Sequence, residues 1–202
     1  PGGTQFGSIR TNPTKEDAFA ALATLLNLLK DFPFENKEST SVAISAILTA
    51  LIRRSIPTAP LHGFTAPKMA SGKSLLADVV GLISTGKNNS VMSQAENEAE
   101  EQKRLLAILA EGDLIVCYDN VDRPLGSAAL CSVLSQEEFK GRILGSTKNM
   151  SVPTNSLFLA TGNNLTLIGD ITTRAILCSL NPQCERPEER EFEVDLRSYI
   201  PC

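Results

Sequence analysis

Gly72-Lys73-Ser74 places a residue without a side chain, an ammonium and a hydroxyl in consecutive positions. It closes the stretch APKMASGKS, residues 66–74, which ends like the phosphate-binding pattern G-x-x-x-x-G-K-[ST]. Pro67 stands where the pattern has its first glycine. Proline lacks an N–H and holds φ near −65°, so it can open such a loop but cannot donate there. The donors that matter come later. The backbone from Ala70 through Ser71, Gly72, Lys73 and Ser74 to Leu75 would turn its N–H groups onto the phosphates of ATP, at the positive end of the helix that follows. Lys73 would reach the outer phosphates. Ser74 would offer its hydroxyl to Mg²⁺, which keeps several waters and takes few protein ligands. Such a tripeptide arises by chance in roughly one chain in ten of this size, so its setting and its partners decide.

A metal–nucleotide site needs a carboxylate. LIVCYD, residues 114–119, is an apolar run ending in Asp119, 46 residues after Lys73, and is a Walker B segment in form. Asp119 would hold Mg²⁺ through a water, beside Ser74. In isolation the same run reads as a buried strand followed by a helix-capping Asp. The next position, a catalytic Glu in many such ATPases, is Asn120. Asn cannot take a proton from water. Either Asp122 or another acid polarises the nucleophile, or Asp119 does both jobs, or hydrolysis is slow; a loose transition state needs positioning and charge more than a strong base.

Three further segments carry polar groups at the ends of apolar runs. SLFLATGNN, residues 156–164, ends in a cluster from which Asn163 would bond the γ-phosphate or the attacking water; the same Gly-Asn-Asn is also an ordinary turn. In GDITTR, residues 169–174, Arg174 lies 11 residues past Asn163 and just before an apolar run, the placing of an arginine finger. Its rigid fork of donors suits phosphate oxygens. Acting in trans, it would complete a neighbour's site and imply a ring; the plain reading is a surface Arg paired with Asp170. Between these lies a predicted hairpin at about 140–155, made basic by Lys140, Arg142 and Lys148. It reads either as a loop on a nucleic-acid backbone or as a solvated hairpin.

The elements that must position these groups follow from periodicity. Thr14-x-x-Asp17 is a capping-box start, and Ala18, Leu22, Leu25, Leu26 and Leu29 recur at helical spacing. A second helix is predicted over Ser39–Ile56, stopped by Pro57 and Pro60. From residue 58 short apolar runs alternate with helical stretches, the pattern of an α/β sandwich with a mainly parallel sheet. The expected organisation is a lead-in and helical lobe over 1–57 and a nucleotide-binding core over 58–202. The chain has 202 residues, 42% apolar, enough for one core with a small appendage. A net charge of −4 argues against a broad nucleic-acid-coating surface, leaving a local basic loop. No apolar run is long enough to span a membrane. The 5 scattered cysteines read as thiols of a cytoplasmic protein, and the single His62 cannot build a histidine-rich metal site.

In this order the motifs resemble the helicase-type ATPase domain of primase-helicase proteins of phages and integrated mobile elements, AAA+ ATPases allied to superfamily 3 helicases. The matching residues are APKMASGKSLLAD (66–78), LIVCYDNVD (114–122), GRILGS (141–146), LFLATGNN (157–164), GDITTR (169–174) and ERPEER (185–190), with DFPF (31–34) and TAP (58–60) before them. The resemblance runs from about residue 15 to 199. It implies a P-loop NTPase fold, Mg²⁺-dependent ATP hydrolysis coupled to movement on single-stranded DNA, and a homo-oligomeric ring, usually a hexamer. It makes Lys148 the leading DNA contact and Arg174 the finger, and an Asp119-Asn120 pair is compatible with activity. Two departures stand out: Ala70 replaces a second loop glycine, and no helical lid with a second sensor Arg follows residue 180. Two other functions fit the loop: a small-molecule P-loop kinase, and a nucleotide-binding assembly module with little or no hydrolysis.

Overall fold

A computed structural model describes residues 11–142, 149–184, 186–190 and 192–200. The chain divides into two units, Pro1–Asp31 and Phe32–Cys202. In the first, helix α1 (Lys15–Leu28) starts on the expected capping box: Thr14 Oγ1 accepts from the Asp17 N–H, and the Asp17 carboxylate accepts from the Thr14 N–H. The helical spacing of its apolar residues is realised, but Phe19, Leu22 and Leu26 are exposed.

The second unit is an α/β sandwich. Strands β1 (Leu61–Ala66), β2 (Ser90–Met92), β3 (Ile115–Tyr118), β6 (Leu157–Asn163) and β7 (Ala175–Ser179) form one sheet in the order β2-β3-β6-β1-β7. Every neighbouring pair is parallel. Parallel pairing requires crossovers, and helices α3 (Lys73–Thr85), α4 (Glu98–Glu111) and α5 (Ala128–Ser135) supply several of them. Leu105, Leu106 and Leu109 of α4 and Leu130 and Val133 of α5 pack on Val116, Tyr118, Phe158 and Ala160. Strand alternation turns the intervening residues to the other face. There His62 Nε2 meets Ser45 Oγ of helix α2 (Lys37–Ile52) at 3.2 Å.

That contact corrects the expected boundary at residue 57. Helix α2 belongs with the sheet: Ser39 Oγ also accepts from the Ser179 N–H of β7 at 3.0 Å. The helix ends at Ile52 rather than Ile56, and Arg53–Ser55 form a 3-10 turn. Arg53, 2% exposed, turns inward and donates to the carbonyls of Ser156 (3.0 Å), Ile56 (2.8 Å) and Thr154. The predicted hairpin is present as β4 (Glu138–Arg142) and β5 (Asn149–Pro153), antiparallel. Phe139 and Val152 bury it in the α4–α5 core. A four-residue helix α6 (Leu196–Tyr199) closes the described chain. Among the described residues no helix is long and apolar enough to cross a membrane.

Candidate nucleotide site

Three adjacent strands, β3, β6 and β1, end side by side, and the candidate residues lie at those ends. The loop after β1 turns through Ala70 at φ 55 and Gly72 at φ 95 before α3 begins at Lys73. Gly72 suits this left-handed backbone, whereas Ala70 holds it against the clash of its own Cβ. Ser71 Oγ donates to the Lys68 carbonyl at 2.6 Å and holds the loop together.

Lys73 is buried. Its Nζ donates to the Lys68 carbonyl at 3.1 Å and to Asn163 Oδ1, at the end of β6, at 2.8 Å. Burial pushes the ammonium's pKa down, and the Asp119 carboxylate opposes that shift. With Oδ1 committed to Lys73, the Asn163 amide presents its two N–H donors elsewhere.

Asp119 follows β3. Its Oδ1 accepts from Ser74 Oγ at 3.2 Å and from Thr161 Oγ1 at 2.6 Å. Thr161 Oγ1 in turn accepts from the Asn120 N–H at 2.9 Å. A relay of hydrogen bonds therefore sets the carboxylate's orientation, and Thr161 is its middle member. Thr161 carries no motif of its own in sequence, although it stands two residues before Asn163 and therefore on the same strand face. Asn120 sits at φ 53, a conformation in which Asn is several-fold enriched and where a Glu would be strained. Asp122 pairs with Arg123 Nε at 3.6 Å, and Arg123 Nη2 donates to the carbonyls of Gln94 and Ala95.

The C-terminal segment, entered through the ERPEER stretch, contributes a second wall, and its residue Phe192 lies outside every motif. A cavity of about 390 Å³ is lined by Ala70 through Leu75 on one side and by Pro187, Arg190 and Phe192 on the other. Phe192 packs edge-on to Phe32, ring centroids 5.1 Å apart, and Arg190 lies 5.7 Å above the Phe192 ring. The segment is tied down at both ends. Lys68 Nζ donates to the Cys184 carbonyl at 3.0 Å, and Arg197 grips Asp78 of α3 through Nε (3.0 Å) and Nη2 (2.6 Å). In sequence, Phe192 is one aromatic residue within an acidic run and carries no spacing signal.

Not every candidate joins this cluster. Arg174 precedes β7, and its carbonyl accepts from the Leu61 N–H where β1 begins. It therefore lies at the opposite end of the strands, about 16 Å away along β1. Its Nη1 is 3.9 Å from Asp170 Oδ2, the pairing read as the plain alternative. In the hairpin, Lys140 is exposed and 3.9 Å from the Glu138 carboxylate. Arg142 is the last residue of β4, opposite Asn149. Lys148 lies outside the described residues.

No protein-family model and no curated protein matches the sequence. Solved structures do. The chain is similar to the apo A form of the NrS-1 C-terminal region, with a TM-score of 0.58 at 17% identity over 89% of this chain and 42% of that one. The 305–718 form of the same region gives 0.55 at 18% identity over the same shares. This chain thus spans less than half of that region. JCV helicase bound to a thiazolopyridine acetamide gives 0.42 at 13% identity, covering 84% of this chain and 58% of that one, too low to weigh. At these identities the likeness concerns the fold alone, a mostly parallel α/β sandwich consistent with a P-loop NTPase-like fold.

Proposed function

We propose that this chain is a Mg²⁺-dependent ATPase, the motor domain of a DNA helicase or primase-helicase of phage or mobile-element type, working as a ring on single-stranded DNA. One observation carries the ATPase reading: Lys73, Ser74, Asp119 and Asn163, from three separate segments, converge at the ends of adjacent strands through contacts of 2.8 and 3.2 Å. The motor reading adds the order of the motifs, the basic hairpin and Arg174.

In this reading the amides of Ala70–Leu75 hold the phosphates, and Lys73 neutralises the outer ones. Ser74 and Asp119, 3.2 Å apart, would hold Mg²⁺, which would supply the charge that stabilises phosphoryl transfer. Asn163 turns its N–H donors to the γ-phosphate or to the attacking water. Phe192 and Arg190 wall the nucleoside side of the cavity. Arg174 serves the adjacent subunit, because its own site lies across the sheet.

ATPase rate against protein concentration, with and without single-stranded DNA, tests the proposal. Activity per chain is expected to rise with assembly and with DNA, using water as the only acceptor. A folded sample without affinity for Mg²⁺-nucleotide would overturn it. Asn120, together with Asp122 being paired to Arg123, favours a second reading: an assembly module that binds ATP and turns it over little. Absence of turnover in every oligomeric state, with ATP bound, would select that reading. Transfer to a small-molecule acceptor, with none to water, would select a kinase.

A further inference from the structure

The Arg174 side chain is braced on two sides. Its Nη1 donates to the Asp170 carbonyl at 2.8 Å and to Thr173 Oγ1 at 3.2 Å, both in its own 3-10 turn (Gly169–Thr173). Its Nε donates to Ser135 Oγ at 2.7 Å, on the last turn of α5 and 39 positions away in sequence. Ser135 is no indifferent acceptor. Its hydroxyl proton goes to the Cys131 carbonyl one helical turn back, at 2.8 Å, which leaves its lone pairs for Arg174. The negative end of the α5 dipole lies at the same place and favours a cation there. The backbone is held as well: the Arg174 N–H donates to the Ile171 carbonyl and its own carbonyl accepts from Leu61, both at 2.9 Å. A guanidinium has five N–H donors. These contacts engage Nε and Nη1, and among the described residues Nη2 makes no hydrogen bond.

We propose that Ser135 is a positioning residue that fixes the Arg174 fork with its open Nη2 edge directed at a phosphate of the adjacent subunit. The inference rests on the reading of Arg174 as a finger acting in trans. Its physical content is preorganisation: a long, rotamer-rich side chain fixed beforehand loses less freedom when the phosphate arrives.

Subunit mixing tests this. Ser135 is exposed at a helix end, so alanine is tolerated there. Ser135→Ala is expected to lower kcat about tenfold, the scale of one well-placed hydrogen bond, with KM and ATP affinity unchanged. Ser135→Thr restores a hydroxyl and is expected to restore the rate. Ser135→Ala subunits keep an intact loop, and Lys73→Ala subunits keep an intact Ser135–Arg174 pair. Mixed before assembly, the two are expected to exceed the average activity of the separate preparations. Arg174→Ala mixed with Lys73→Ala is the reference for action in trans. If the reference complements and the Ser135→Ala mixture does not, the positioning role is overturned and the finger stands. An unchanged kcat or a lost ATP affinity in Ser135→Ala overturns it equally. If the reference fails to complement, or no preparation turns over ATP, the trans reading falls and this inference with it.

Discussion

Lys73 Nζ and Asn163 Oδ1 lie 2.8 Å apart although 90 positions separate them in sequence. The contact spans the ends of two adjacent parallel strands and fixes which side of the Asn163 amide faces outward. Asn163→Asp keeps a partner for the ammonium and removes the two N–H donors. Single-turnover ATP hydrolysis is expected to slow about 100-fold, the scale of losing a transition-state donor. Nucleotide affinity, measured by titration, is expected to change far less. Equal losses in both would place Asn163 in ground-state binding instead.

Thr161 joins Asp119 to Asn120. Thr161→Val is nearly isosteric and leaves the Asn120 N–H and one lone pair of Asp119 without their partner. Urea unfolding is expected to show a loss of about 1–3 kcal/mol. With the carboxylate freed to rotate, the Mg²⁺ concentration that half-saturates turnover is expected to rise. Stability loss with an unchanged Mg²⁺ dependence would confine Thr161 to the fold.

The buried His62 gives folding a pH dependence. Burial pushes its pKa from 6.5 to about 4, with the Pro60 carbonyl opposing. The folded state therefore binds fewer protons than the unfolded state. The contribution is fully present above the unfolded pKa and is lost as pH falls toward the folded one. Between pH 7.5 and pH 5 the protein is expected to lose about 2 kcal/mol more than His62→Gln, which keeps a partner for Ser45 but does not titrate. Denaturant midpoints at the two pH values measure the difference, and parallel losses in both proteins would refute it.

Ala70 at φ 55 holds a conformation that suits glycine. Ala70→Gly removes a steric cost of about 1–2 kcal/mol and adds unfolded-state freedom worth roughly half of that. Thermal unfolding is expected to shift upward slightly, and a downward shift would show that the loop is relaxed as it stands.

Phe192 lies over Gly72, its Cζ 4.0 Å from where a Cβ on Gly72 would sit, and Phe32 packs beside it. Phe192→Ala removes an apolar wall, and ATP is expected to bind about tenfold more weakly. Binding of inorganic triphosphate, which carries no nucleoside, is expected to stay the same. Equal weakening for both ligands would show that the loop itself had moved.

The candidate residues could be picked out in sequence because their signals are local. Gly72-Lys73-Ser74 at a strand-to-helix junction, an apolar run ending in Asp119 and another ending near Asn163 each declare themselves within ten residues. Helix and strand periods are equally local, so the α/β alternation and the capping box at Thr14 could be read directly. Contacts from far along the chain leave no such local signal. Helical period alone groups α2 with α1, while its place depends on Ser179 and His62.

Which groups meet was decided by the tertiary structure, through a strand order, β2-β3-β6-β1-β7, that does not follow the chain. Inserting β6 between β1 and β3 brings Asn163 to Lys73 and Thr161 to Asp119. The start of β7 carries Arg174 to the far end of the strands, and the segment after β7 brings Phe192 back over Gly72. Residue types and short spacings state what each group can do. Proximity among groups tens of residues apart arises only when a parallel sheet, with its long crossovers, is assembled.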